Sequence, residues 1–148
     1  MFDELSKART YFLFDGDAAE ENRLEIMAYF AVALQVLRLP DNMSVRQTRS
    51  LDGFSGKLNG SKIKFLPVYL IGQLAKNDSY NDKISGNEIL EYAMQVIMRA
   101  RIYAGGRVAM VEAKTSAKGL LQFYEKNGFA KIFDNEETGL TQMIHVFE

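Results

Sequence analysis

Two places in this chain carry residues whose types and spacing suit chemistry. One is Leu66–Ala104, LPVYLIGQLAKNDSYNDKISGNEILEYAMQVIMRARIYA, which reads as an apolar strand, a polar turn and a long amphipathic helix. A strand that runs into a helix N-terminus makes a natural anion site. The first helical N–H groups have no intrahelical partner, and the helix dipole favours negative charge there. Lys83 adds positive charge just before the helix. The other place is Tyr124, within Phe123-Tyr124-Glu125-Lys126-Asn127-Gly128-Phe129. A phenol of pKa about 10 can donate a proton to a leaving group; a tyrosine in such an apolar setting can equally be a core residue packed on a sheet. Other reactive groups are few. The chain has no cysteine, which excludes disulfides, thiolate metal sites and cysteine nucleophiles. His145 is the only histidine. It has no serine or metal-ligand partner at a meaningful spacing, so it reads as structural and no metal site is expected. Met94 and Met98 read as core filler rather than a cofactor box.

These groups need a scaffold, and the sequence outlines one. Phe2–Ala8 suits a short helix. Thr10–Asp15 (TYFLFD) reads as a strand that enters a turn at Asp-Gly-Asp, and Ala18–Asn22 as a polar turn. Arg23–Leu39 is ambiguous. Its Ala and Leu content suits a helix, yet Ile26, Ala28, Phe30, Val32, Leu34 and Val36 alternate, which predicts a strand with one face more buried. Pro40 ends it. Asp41–Lys64 is a long loop rich in Gly, Asn, Ser and charge, with room for a short helix around Met43–Leu51. Phe65–Lys76 is a strand apolar enough to be covered on both faces. Asn77–Ile84 is a turn.

Ser85, with Glu88 three residues on, forms a capping-box pattern that opens a helix. Ile89, Leu90, Ala93, Met94, Ile97, Ala100, Arg101 and Ala104 repeat at helical spacing, and Gly105-Gly106 stop it. Arg107–Ala113 is a strand. Ala117–Asn127 is a helix whose packed face carries Leu120, Leu121, Phe123 and Tyr124. Ala130–Asp134 and Leu140–Phe147 pair across the turn Asn135–Gly139. The order β-β-β-α-β-α-β-β predicts an α/β fold with a mixed sheet.

Composition narrows the class. At 148 residues the chain is expected to be a single domain spanning residues 1–148. No apolar run is long enough to span a bilayer, and the first ten residues lack the layout of a signal peptide; with no cysteine, this predicts a cytoplasmic protein without a membrane partner. Net charge is −1, so there is no global field for nucleic acid. Positive charge is local: Arg38, Arg46, Arg49, Lys57, Lys62 and Lys64 face only Asp41 and Asp52 across the middle of the chain. That stretch is either a solvated loop or the rim of an anion-binding surface.

The strand LIGQLAKND, the loop YNDKISG, the helix after it, the strand VAMVEA and FYEKNGF together resemble the GCN5-related N-acetyltransferase (GNAT) superfamily from about Thr10 to the C-terminus. The basic insertion after Pro40 and the Gln-Leu-Ala strand are similar to its branch of tRNA-acetylating toxins. The resemblance implies a GNAT-like, mostly antiparallel central sheet flanked by helices. It implies acetyl-CoA as cosubstrate, with Leu74, Ala75, Lys76, Asn81, Asp82, Lys83, Ile84, Ser85, Gly86 and Asn87 at the coenzyme. Its diphosphate would rest on backbone N–H groups of Lys83–Asn87. Tyr124 matches the tyrosine that protonates the departing thiolate. The acceptor would be an amine, small or on aminoacyl-tRNA, with RNA or an antitoxin as further partners.

Two departures stand out. The family's Gln/Arg-x-x-Gly-x-Gly/Ala loop is here Asn81-Asp82-Lys83-Ile84-Ser85-Gly86, so Ile84 replaces a glycine and Asp82 adds a like charge beside an anion. And only nine residues precede the strand at Thr10, where the family begins with a further strand and one or two helices. Either the leading elements are absent or the reading frame starts inside the original domain. An exposed sheet edge would then need covering, and a homodimer is one solution. The altered loop also motivates the alternative of a non-catalytic acyl-CoA-binding or interaction module. No general base is evident: Phe65–Lys76 carries no carboxylate, and Glu112 on the next strand reads first as an exposed or structural residue.

Overall fold

The computed structural model describes residues 7–148. The elements run β1 (Ala8–Phe14), α1 (Gly16–Glu20), β2 (Ile26–Arg38), α2 (Val45–Asp52), β3 (Lys57–Leu58), β4 (Ser61–Lys62) and β5 (Phe65–Lys76). A single 3-10 turn (Asp78–Tyr80) follows, then α3 (Gly86–Ala104), β6 (Val108–Lys114), α4 (Lys118–Lys126), β7 (Ala130–Asn135) and β8 (Leu140–Val146). Six strands hydrogen-bond in the order β1-β2-β5-β6-β8-β7. β1–β2, β6–β8 and β7–β8 are antiparallel, and β5–β6 is parallel. This is the mixed sheet that the element order predicts, mostly antiparallel as the resemblance implies.

The described residues form two compact units, one of residues up to 33 and 71–103, the other of residues 34–70 and 104–148. The first holds β1, the start of β2, the end of β5 and all but the last residue of α3. Tyr11 of β1 stacks on its cross-strand partner Phe30 with ring centroids 5.2 Å apart. α3 buries Ile89, Leu90, Ala93 and Ile97 at 3 % exposure or less, the stripe expected from helical spacing. Its last turn is open, with Ile102 and Tyr103 largely exposed. The second unit has a core of Leu37, Leu39, Leu51, Leu66, Val68, Val108, Met110 and Ile144, contributed by β2, α2, β5, β6 and β8. Here α2 is closed by a full capping box between Ser44 and Gln47 and by left-handed Gly53.

Several sequence expectations need correction. The helix expected at Phe2–Ala8 lies outside the described residues apart from Lys7 and Ala8, and Ala8 opens β1. The turn expected at Ala18–Asn22 is largely α1, because Asp15 caps it by accepting the N–H groups of Asp17 and Ala18. β2 is a strand, as its alternation predicts, but its inner face changes parity. Ala28 and Phe30 are buried, Leu34 and Val36 are exposed, and Leu37 and Leu39 are buried again. β5 is not covered on both faces: Phe65 is exposed, and so is Gln73, which sits in the left-handed region (φ 53°). Met98 is exposed beside Arg101 rather than in the core. Leu120 is likewise exposed, because α4 packs mainly through its last turn. Inside the long loop, β3 and β4 form a hairpin around Asn59-Gly60, both at positive φ. Asn-Gly is the strongest short-range signal for such a turn.

Candidate active site

Tyr124 lies in the second unit, near the end of α4, and the surrounding motif explains its setting. The helix stops where Gly128 takes a φ of 89°, donating its N–H to Glu125, while Phe129 donates to the carbonyl of Tyr124. This left-handed residue turns the chain back, and a Cβ at Gly128 would meet His145 Nδ1 at 3.1 Å. Asn127 closes the end by donating its side-chain amide to the carbonyl of Phe123 at 2.8 Å. The reversal lays Phe129 edge-on against Tyr124, with centroids 5.7 Å apart, and brings it to the same distance from His145. His145 bonds the Gly128 carbonyl at 3.0 Å and meets Phe147 edge to face, with centroids 4.9 Å apart. FYEKNGF is thus a helix stop and an aromatic cluster in one, and His145 packs into that cluster.

The ring of Tyr124 is buried to 6 % exposure, yet its hydroxyl has no protein hydrogen-bond partner among the described residues. Burial raises its pKa above that of an ordinary phenol. The group therefore keeps its proton at neutral pH, which a general acid requires. Glu112 on β6 is exposed and lies opposite Gln142.

The coenzyme residues expected from the sequence lie in the first unit. Leu74, Ala75 and Lys76 are half-buried at the end of β5, just past the left-handed Gln73. Asn81–Asn87 form the turn and the start of α3. The capping box is present: Ser85 Oγ accepts the Glu88 N–H, and Glu88 Oε1 accepts the Ser85 N–H, both at 3.2 Å. Lys83 and Ile84 both donate their N–H groups to the Tyr80 carbonyl. Of the five N–H groups expected to hold a diphosphate, those of Lys83, Ile84 and Ser85 are thus engaged within the protein. Ile84 is buried at 3 % exposure and has no positive φ. Its side chain fills the core, and the loop keeps its course without the glycine that the family pattern has there.

Lys83 does not stand free at the loop. Its Nζ is 3.2 Å from Asp15 and 5.6 Å from the centroid of the Tyr80 ring. Burial opposes charge on Asp15, but hydrogen bonds from Lys83, Ala18 and Asp17 hold its carboxyl below the usual range. In the basic stretch, Arg38 pairs with Asp41 at 3.2 Å and lies over Phe65, and Lys62 donates to the carbonyls of Asp41 and Met43. Those two cations brace the loop. Arg46, Arg49, Lys57 and Lys64 have exposed side chains.

The fold is that of the GNAT acetyltransferase toxins. The chain is similar to AtaT in the structure of AtaTR bound with acetyl-CoA, at a TM-score of 0.69 and 18 % identity, over 98 % of this chain and 73 % of that one. AtaT complexed with acetyl-methionyl-tRNAfMet gives 0.69 and 17 %, over 98 % and 74 %. A KacTA–DNA complex gives 0.63 and 18 %, over 94 % and 67 %. No protein-family model matches the sequence, and no curated protein matches it. No described helix is long and apolar enough to cross a membrane.

Proposed function

We propose that the protein is an acetyl-CoA-dependent N-acetyltransferase, with an amine on an RNA-linked aminoacyl group as its acceptor. The observation that carries this reading is Tyr124: a buried ring with an unengaged, protonated hydroxyl, in the fold of proteins solved with acetyl-CoA and with acetylated initiator tRNA. The α3 N-terminus suits the diphosphate, since its N–H groups and dipole attract an anion without a dedicated side chain. In the reaction, the acceptor nitrogen bonds the acetyl carbonyl carbon, the C–S bond breaks, and the nitrogen's proton goes to water. Tyr124 gives its proton to the departing sulfur, whose thiol has a pKa of about 8.5, and the tyrosinate takes a proton back from water. An α-amine, of pKa about 8, is partly neutral at pH 7 and needs no dedicated base. A lysine amine, of pKa about 10.4, would need one. Native mass spectrometry of the protein with acetyl-CoA and candidate amines tests the reading: bound coenzyme and an acceptor about 42 Da heavier, the net gain when an acetyl group replaces a hydrogen, are expected, and no bound coenzyme would sink it.

Two further results are expected. Glu88→Gln keeps the capping box, because glutamine serves at that position as well. It also removes a carboxylate from the helix start, so coenzyme affinity should rise by up to about fivefold. Isothermal titration reads this, and unchanged affinity would place the diphosphate elsewhere. For RNA, removal of Arg46, Arg49 or Lys57 should weaken binding and lower the slope of log affinity against log salt by about one per contact. A flat salt dependence would make these residues a solvated surface.

A further inference from the structure

The turn leading into α3 is fastened to the β1–β2 connection and the start of β2 through three residues, all within the first unit. Asn77 donates its backbone N–H to the Met27 carbonyl at 2.8 Å and its side-chain amide to the Ile26 carbonyl at 3.0 Å. Tyr80, 7 % exposed, donates its hydroxyl to Glu25. Lys83 reaches Asp15, which is 6 % exposed and held rigid as the cap of α1. Glu25 is itself fixed by Arg23 at 2.7 Å. A cavity of about 550 Å³ lies over this cluster. Tyr80 is the decisive link. Its carbonyl accepts the N–H groups of Lys83 and Ile84, the last residues before the Ser85 cap. Whatever holds the Tyr80 ring therefore sets where α3 begins.

We propose that Asp15 and Glu25 are positioning residues for coenzyme binding: through Lys83 and Tyr80 they pin the turn that aims the α3 N-terminus. The inference rests on the acetyl-CoA reading above. It gives Lys83 a different task from the one its sequence position suggests. The lysine closes a clamp and does not supply charge to the diphosphate. The glycines that shape the family's loop from within are replaced here by ties from outside it. A buried Ile84 and a loop with one remaining glycine, Gly86, fit that arrangement.

The two tasks for Lys83 predict opposite signs. Asp15→Asn keeps the α1 cap, since asparagine caps as well as aspartate, but it removes the charge that holds Lys83. If the clamp positions the turn, coenzyme A should bind about three- to tenfold more weakly by isothermal titration. Turnover should show the loss in KM for acetyl-CoA, with kcat unchanged. If Lys83 instead serves the diphosphate, the same variant frees it, and affinity should rise. Tyr80→Phe removes one oxygen and should weaken binding to a similar extent, while Lys83→Arg, which can still reach Asp15, should retain affinity. Lys83→Met on the Asp15→Asn background should add little further loss. Tighter binding by Asp15→Asn, or unchanged binding by both Asp15→Asn and Tyr80→Phe, overturns the clamp. Failure of the wild-type protein to bind coenzyme A overturns the acetyltransferase reading itself.

Discussion

Tyr124→Phe is expected to lower acetyl transfer by a factor on the order of 10²–10⁴, the usual range for loss of a general acid. The substitution removes one oxygen. The hydroxyl makes no hydrogen bond among the described residues, so its loss leaves no buried partner stranded there. The ring's contacts with Phe123 and Phe129, at centroid distances of 5.3 and 5.7 Å, are carbon contacts that phenylalanine reproduces. Melting temperature and coenzyme affinity should therefore stay close to wild type while single-turnover chemistry slows. Wild-type turnover with the coenzyme bound would make Tyr124 a packing residue only. The direction of its pKa adds a pH signature: a phenol raised by burial stays protonated through the neutral range, so the rate should not decline between pH 7 and 9 from loss of this acid.

The second large effect runs against the family pattern. Ile84→Gly restores the glycine that the GNAT loop has at this point, and by pattern alone it should improve coenzyme binding. The structure predicts harm. Ile84 is 3 % exposed and its backbone has no need of left-handed freedom. Deleting a buried isoleucine side chain costs about 2–5 kcal/mol, and glycine adds roughly 0.5–1 kcal/mol of backbone entropy. A fall in melting temperature on the order of 10 °C should follow. Calorimetry with and without coenzyme A separates the outcomes: a variant as stable as wild type, with tighter binding, would mean that the Ile84 side chain obstructs the loop.

The two predictions mark how far the sequence could be read. FYEKNGF is legible because it is local: the helix stop, the left-handed glycine and the returning aromatic all fall within a few residues. The capping box at Ser85 and Glu88 and the α3 stripe are legible for the same reason. The strand at Ile26–Arg38 could be recognised by alternation, but its change of inner face could not, because Leu34 and Val36 continue the apolar pattern on what becomes the outer side. The partner of Lys83 is equally hidden. Asp15 lies 68 residues earlier, and nothing in either neighbourhood marks them as a pair. The site's local chemistry lies in neighbouring residues; the ties that aim it are long-range and appear only in the fold.

The core of the second unit has a consequence for the protein's synthesis. Leu37, Leu39, Leu51, Leu66 and Val68 precede Val108, Met110 and Ile144, and the whole of residues 71–103 belongs to the other unit. A ribosome adding about 5–20 residues per second needs roughly 2–8 s to travel from Val68 to Val108. The first five of these side chains are thus synthesised seconds ahead of the β6 and β8 residues that cover them. Nascent chains stalled before residue 108 should therefore be the forms that hold bound chaperone, and extension through Ile144 should release it.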